Sequence, residues 1–162
     1  AHGKAWGAAF GDFDHDGWQD LYVANDEMPG DLFHNQSGRT MRNIGDSSGT
    51  AYSKNGSLHG GMGADWGDFD NDGRPDLVVT TFWAEVKPIY RNEGGAVFSE
   101  VSGSVGVGAA SRRRVGFGTR WADLDQDGWL DLVFVNGHVQ DNSQARPEEG
   151  LPQSMQLFMN TG

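Results

Sequence analysis

The residues best placed to do chemistry are twelve aspartates gathered into three short loops. Asp12, Asp14, Asp16 and Asp20 occupy positions one, three, five and nine of the first loop. Asp68, Asp70, Asp72 and Asp76 repeat that spacing, and Asp123, Asp125, Asp127 and Asp131 repeat it again. Four carboxylates so close together repel one another unless water or a cation screens them. Alternate side chains turning inward would offer only hard oxygen ligands. That suits the crowded oxygen shell of Ca²⁺ better than the tight, water-retaining octahedron of Mg²⁺. Gly17, Gly73 and Gly128 follow position five, where the chain must turn sharply. The carbonyls of Trp18, Arg74 and Trp129, at position seven, are the expected backbone ligands. The expectation is therefore one Ca²⁺ per loop, three in all. An EF-hand would place a bidentate Glu at position twelve; here Val23, Val79 and Phe134 stand there, inside apolar runs. The plainer reading is a set of Asp-Gly surface turns, and three intact copies argue against it.

The elements that must hold these loops repeat with them. From Asp12 to Asp68 the offset is 56 residues, and from Asp68 to Asp123 it is 55. Gly7, Gly63 and Gly118 precede each first Asp by five residues, and Phe10, Trp66 and Trp121 precede it by two. Behind the loops come the runs Leu21-Tyr22-Val23-Ala24, Leu77-Val78-Val79-Thr80 and Leu132-Val133-Phe134-Val135. They are short and rich in β-branched and aromatic residues, which reads as strand. A further element follows each: Leu32-Phe33-His34-Asn35, Ile89-Tyr90-Arg91-Asn92 and Leu157-Phe158-Met159-Asn160. Fourth strands are expected at 40–44 and 97–101, after turns carrying Gly38 and Gly94-Gly95.

The fold class read from this pattern is all-β: β-propeller blades, each a four-stranded antiparallel sheet, in one segment spanning 1–162. The repeats fall at 1–56, 57–111 and 112–162, the third truncated before its fourth strand. Segments 45–60 and 103–114 read as short connections, and 137–152 as an exposed loop. Three blades are fewer than the four or more of a closed propeller. The expectation is an incomplete propeller, completed by sequence beyond its ends or by protomers stacked head to tail.

The motif Phe/Trp-x-Asp-x-Asp-x-Asp-Gly-x-x-Asp-Leu followed by Leu-Phe-x-Asn resembles the FG-GAP, or VCBS, repeats of integrin-α-like β-propellers. A closer likeness is to the repeat region of the cartilage-acidic-protein and ASPIC/UnbV-like group. It rests on Asp20-Leu21-Tyr22-Val23-Ala24-Asn25-Asp26, on Gly61-Met62-Gly63 before Trp66, and on Asp131 through Asn136-Gly137-His138. The resemblance implies calcium-stabilised blades, commonly seven, in secreted, periplasmic or cell-surface proteins. It carries a ligand role onto the loop aspartates named above. A C-terminal ASPIC/UnbV module, usual in many relatives, is absent from this sequence.

Composition narrows the alternatives. Twelve Lys and Arg against 23 Asp and Glu give a formal net charge of -11, which opposes binding to nucleic acid or an anionic membrane. Arg112-Arg113-Arg114 is the one basic cluster and reads as a solvated connector. The absence of Cys removes disulfides and thiolate chemistry. None of His2, His15, His34, His59 and His138 forms a zinc-enzyme pattern, and no nucleophile elbow or phosphate-binding loop occurs. His15, at loop position four, is expected to point away from the cation. His138 reads as an exposed loop residue, with a binding role beside Asn136 and Asp141 as the alternative. Trp18, Trp129 and Trp83 are candidates for outward rings, while tryptophan burial between blades is the commoner case. Asn35-Gln36-Ser37 and Asn55-Gly56-Ser57 match the glycosylation pattern. The functional expectation is a calcium-binding structural or adhesive segment, extracellular, whose partners are other blades or identical protomers. A protein- or glycan-recognition module is one alternative, and the noncatalytic propeller part of an enzyme another.

Overall fold

A computed structural model describes residues 3–140 and 150–162. Strands β1 (Ala5–Gly11), β2 (Asp20–Asn25), β3 (Asp31–Gln36) and β4 (Thr40–Asn43) form one antiparallel sheet in sequence order. A second sheet repeats the order with β5 (Gly63–Gly67), β6 (Asp76–Thr80), β7 (Ile89–Asn92) and β8 (Phe98–Glu100). The third holds β9 (Gly116–Ala122), β10 (Asp131–Asn136) and β11 (Gln156–Phe158). The protein is all-β, and its three sheets form an open stack rather than a closed ring. The two connections are not wholly irregular: each contains one turn of helix, α1 (Gly45–Ser48) and α2 (Val107–Ser111). Asp141, Asn142 and the rest of 141–149, read from sequence as part of an exposed loop, lie outside the described residues, as does His2.

Side-chain alternation along the second strand of each blade builds the core. Leu77 and Val79 of β6 face the first blade, where they join Phe13, Tyr22, Ala24 and Leu32. Val78 between them faces the third blade, with Trp121, Leu132 and Phe134. The middle strand is therefore buried on both faces along its whole length, which explains its unbroken apolar run. Each of these side chains contributes roughly 1.5–3 kcal/mol by leaving water.

Inner strands β1, β5 and β9 face one another down the stack, and glycine sets their separation. A Cβ on Gly7 would lie 2.4 Å from the Met62 carbonyl oxygen, and one on Gly63 would lie 2.1 Å from that of Phe117. Backbone packing is thus what the repeated glycines serve. Gly63→Ala should lower unfolding stability by about 1–3 kcal/mol through overpacking against rigid backbone. Gly118→Ala, whose added methyl would find its nearest neighbour at 3.6 Å, should leave it nearly unchanged. Urea denaturation of both variants makes the comparison.

His59, in the segment leading to β5, is buried, and burial pushes its imidazole down to about 4. The unfolded chain binds this proton more tightly, near its ordinary value of about 6.5. The His59 contribution is therefore complete above that value and is lost as pH falls toward 4. The difference between wild-type and His59→Gln stability should close by about 3 kcal/mol over that window, measured by denaturation at stepped pH.

Candidate metal centre

Each acidic loop joins an inner strand to the second strand of its blade, and the three loops share one internal hydrogen-bond scheme. In the first, the Asp12 carboxylate accepts from the Asp16 and Gly17 nitrogens at 3.1 and 3.0 Å, and Asp16 accepts from Trp18 at 2.9 Å. Asp68 and Asp72 do the same for Asp72, Gly73 and Arg74. Asp123 and Asp127 do so for Asp127, Gly128 and Trp129. The backbone must turn left-handed at positions four and six to allow this. His15, Asn71 and Gln126 have φ of 58°, 56° and 63°, and Gly17, Gly73 and Gly128 have 88°, 86° and 91°. The glycine after position five is required for the reason its placement predicted.

Position nine anchors the loop to the sheet. Asp20, Asp76 and Asp131 have no exposed surface. Asp20 accepts from the Phe13 and Asn35 nitrogens, Asp76 from Phe69 and Asn92, and Asp131 from Leu124 and Asn160, all at 2.8–3.2 Å. Burial pushes the Asp76 carboxyl up to about 7, with Asp70 and Asp72 adding to the rise and its two backbone N–H donors opposing it. Burial raises Asp20 as well.

The predicted ligands converge in part. Oxygens of Asp12, Asp14 and Asp20 lie within 4.8 Å of one another, as do those of Asp68, Asp70 and Asp76. In the third loop the trio is Asp123, Asp125 and Asp127. Asp131 falls outside that trio, and the position-five residues Asp16 and Asp72 fall outside the first two. Asp16 groups instead with Asp14 and His34, whose Nε2 is 3.0 Å from Asp14 Oδ2. Asp72 forms an ion pair with the Arg74 side chain, which also donates to the Asn92 carbonyl at 2.8 Å. At an effective dielectric near 20, two carboxylates this close repel by on the order of 3 kcal/mol. An all-oxygen, anionic donor set of this kind fits a hard cation.

Sequence reasoning missed the proximity of His34 and the buried Lys87. The Lys87 ammonium donates to the Ser111 and Arg114 carbonyls at 3.0 and 2.8 Å, and burial lowers it to about 8. Nothing in its local sequence signals that site. His138 corrects the reading as an exposed residue: it is only 8% exposed, its ring set 5.5 Å from Phe82 and 6.2 Å from Trp83. The flat imidazole fills an aromatic niche that also half-buries Trp83. His15 does point to a neighbour, reaching the Gly73 carbonyl at 2.7 Å. Trp18 is exposed and Trp129 half-buried, whereas Trp66 and Trp121 lie between blades. Asn35 is engaged on both ends of its amide, with Gln19 and Gly38, so only Asn55 keeps the exposure a glycan acceptor needs.

With this geometry established, comparison with known proteins adds one match. Residues 12–79 match the family model described as FG-GAP-like repeat. That stretch runs from the first acidic loop into β6 and is similar to the repeats of β-propeller modules. Comparison with curated proteins gives no match.

Loop positions should separate by role. Asp131→Asn places an amide where two N–H donors converge, and should cost about 1–3 kcal/mol even without metal. Asp125→Asn, exposed, should leave metal-free stability within about 0.5 kcal/mol and weaken calcium binding instead. Denaturation in chelator and calorimetric titration read the two effects separately.

Proposed function

We propose that this chain is a calcium-binding, non-catalytic β-propeller segment with a structural or adhesive role outside the cell. The observation that carries it is the threefold repetition of one loop scheme, in which a carboxylate trio is held together at each blade despite its own repulsion. Asp12, Asp14 and Asp20, their counterparts Asp68, Asp70 and Asp76, and Asp123, Asp125 and Asp127 would form the nucleus of each site. Asp16, Asp72 and Asp131 would complete the carboxylate set by modest rotation. The carbonyls of Trp18, Arg74 and Trp129 would supply the backbone ligand at position seven. Bound calcium would offset two of the four carboxylate charges in each loop and tie the inner strand to the second strand of its blade. Similarity of residues 12–79 to FG-GAP-like repeats supports an extracellular or periplasmic setting. Among the described residues no helix is long and apolar enough to cross a membrane.

A second reading, recognition of a protein or glycan, is favoured by a groove of about 520 Å³ lined by Lys54, His59, Glu85, Glu100 and Arg112. Its mixed charges suit a polar ligand rather than a lipid.

Calcium should stabilise the fold by mass action. At free calcium one hundred times the dissociation constant, each site adds about 2.7 kcal/mol, or about 5–10 °C in Tm for a chain of this size. Scanning calorimetry in calcium and in chelator, with metal analysis for three ions per chain, tests the assignment. Equal Tm values and no retained calcium would overturn it.

A further inference from the structure

The groove of about 520 Å³ is built from the middle blade and its two connections. The acidic loop of that blade enters β6 at Asp76, whereas the groove takes the segment that follows Thr80 at the other end of the strand. The two sites are therefore separate. The groove's volume falls within the range of small-ligand sites, about 300–1,000 Å³. Short ties hold its walls in place. Ala84, at a left-handed φ of 65°, donates its N–H to the Arg112 carbonyl at 2.9 Å, and Arg112 Nε donates back to the Ala84 carbonyl at 3.1 Å. Glu85 Oε2 accepts from the Gly60 and Phe82 nitrogens at 2.9 and 3.2 Å. Glu100 Oε1 accepts from the Ser102 nitrogen at 2.8 Å and from the Ser102 hydroxyl.

These ties leave polar capacity unused. Among the described residues, Glu85 Oε1 and Glu100 Oε2 accept from no donor, and the two terminal nitrogens of Arg112 donate to no acceptor. Burial raises the Glu85 carboxyl against the pull of its two N–H donors, so an ammonium beside its free oxygen would relieve a cost that the fold carries. His59 is 5% exposed, and its Nδ1 is sealed without a partner. A neutral imidazole has one N–H and one lone pair, and a sealed, unpaired N–H is the costlier orphan. The proton therefore sits on Nε2, and His59 offers the groove a donor that no described residue uses.

Charge and shape narrow what fits. Glu85 and Glu100 are half-buried and fixed, while Lys54 and Arg112 are exposed. Their four charges sum to zero, which suits a ligand carrying both signs. Leu58, Val86 and Pro88 add apolar surface. A glycan is gripped by laying a sugar ring on an aromatic face, and no Phe, Tyr or Trp lines this groove. We propose that the groove binds a short free peptide, its terminal ammonium on Glu85 and Glu100 and its terminal carboxylate on Arg112 and Lys54. One peptide carbonyl accepts from His59 Nε2, and an apolar side chain covers Leu58, Val86 and Pro88. The assignment rests on the recognition reading of this groove, names its ligand, and does not require that the loops hold calcium.

Calorimetric titration of the 162-residue chain with the tripeptide Ala-Leu-Ala should show one site per chain. Acetylating its amino end, or amidating its carboxyl end, should each weaken binding at least about tenfold, the scale of one charge-assisted hydrogen bond. Glu100→Gln keeps an oxygen for Ser102. It should weaken the free and the amidated peptide by a similar factor and leave the acetylated one unchanged. Arg112→Gln should weaken the free and the acetylated peptide and leave the amidated one unchanged. A variant that only loosened the groove would weaken all three alike, and that result in both variants would overturn the proposal. Cellotriose serves as the glycan arm. Binding of cellotriose without the peptide would overturn the assignment and leave the recognition reading standing, and binding of neither would remove both.

Discussion

A carboxylate with no exposed surface persists in a fold only when its oxygens are given hydrogen bonds or a cation, and the position-nine aspartates meet that demand in a way that fixes their surroundings. Asp20, Asp76 and Asp131 each take one N–H from their own loop and one from the backbone of an asparagine in or just past the third strand. The loop is thereby tied to a strand two elements away. The side chain of Asn92 or Asn160 then reaches back to the preceding blade. Loop, sheet and stack are linked through one buried acid per blade. Loss of a single acceptor would be felt at all three levels.

The stack itself depends on close approach. Gly7 and Gly63 let backbones of adjacent inner strands come nearer than any side chain would permit, while Gly11 and Gly67 admit a tryptophan ring. Tryptophan and glycine thus alternate in function as well as in sequence. The one fills the space between blades, and the other creates it. Asp65 adds a polar link between the second and third blades, accepting from the Trp121 nitrogen at 2.8 Å and pairing with Arg120 at 3.0 Å. No equivalent exists at Ala9, where Trp66 donates to the backbone carbonyl instead. Each interface is therefore individually tuned on a shared frame.

Much of this was legible because the repeat displays each requirement three times. The strand runs, the loop spacing and the turn glycines are local signals, and the structure has strands at each of those runs. The aromatic before each loop was legible as a repeated feature, but its partner was not. Trp66 meets Phe13 across 53 residues of chain, and only the stacked geometry shows it. The asparagine of the third strand was visible as a constant, without its purpose. One-turn helices α1 and α2 escaped notice because four or five residues carry no helical period. His138 and Lys87 were misjudged or missed for a common reason. Their burial depends on distant elements (Phe82 and Trp83 for one, the Ser111 and Arg114 carbonyls for the other) that no local pattern announces.

The interblade contacts of His15 and Asn71 place successive acidic loops side by side, and this has an electrostatic consequence. Twelve of the 23 acidic residues lie in these loops, so about half of the negative charge is concentrated along one rim of the stack. Within the rim the Arg74 side chain pairs with Asp72, and the His34 ring sits beside Asp14. Repulsion between neighbouring loops acts on the same carbonyl contacts that align the blades. A divalent ion in each loop would offset two of its four carboxylate charges and so weaken the repulsion that acts on those contacts. On the calcium-binding proposal, metal loading and blade alignment would be one cooperative equilibrium. The rim that carries the proposed metal loops is also the rim along which His15 and Asn71 reach the next blade.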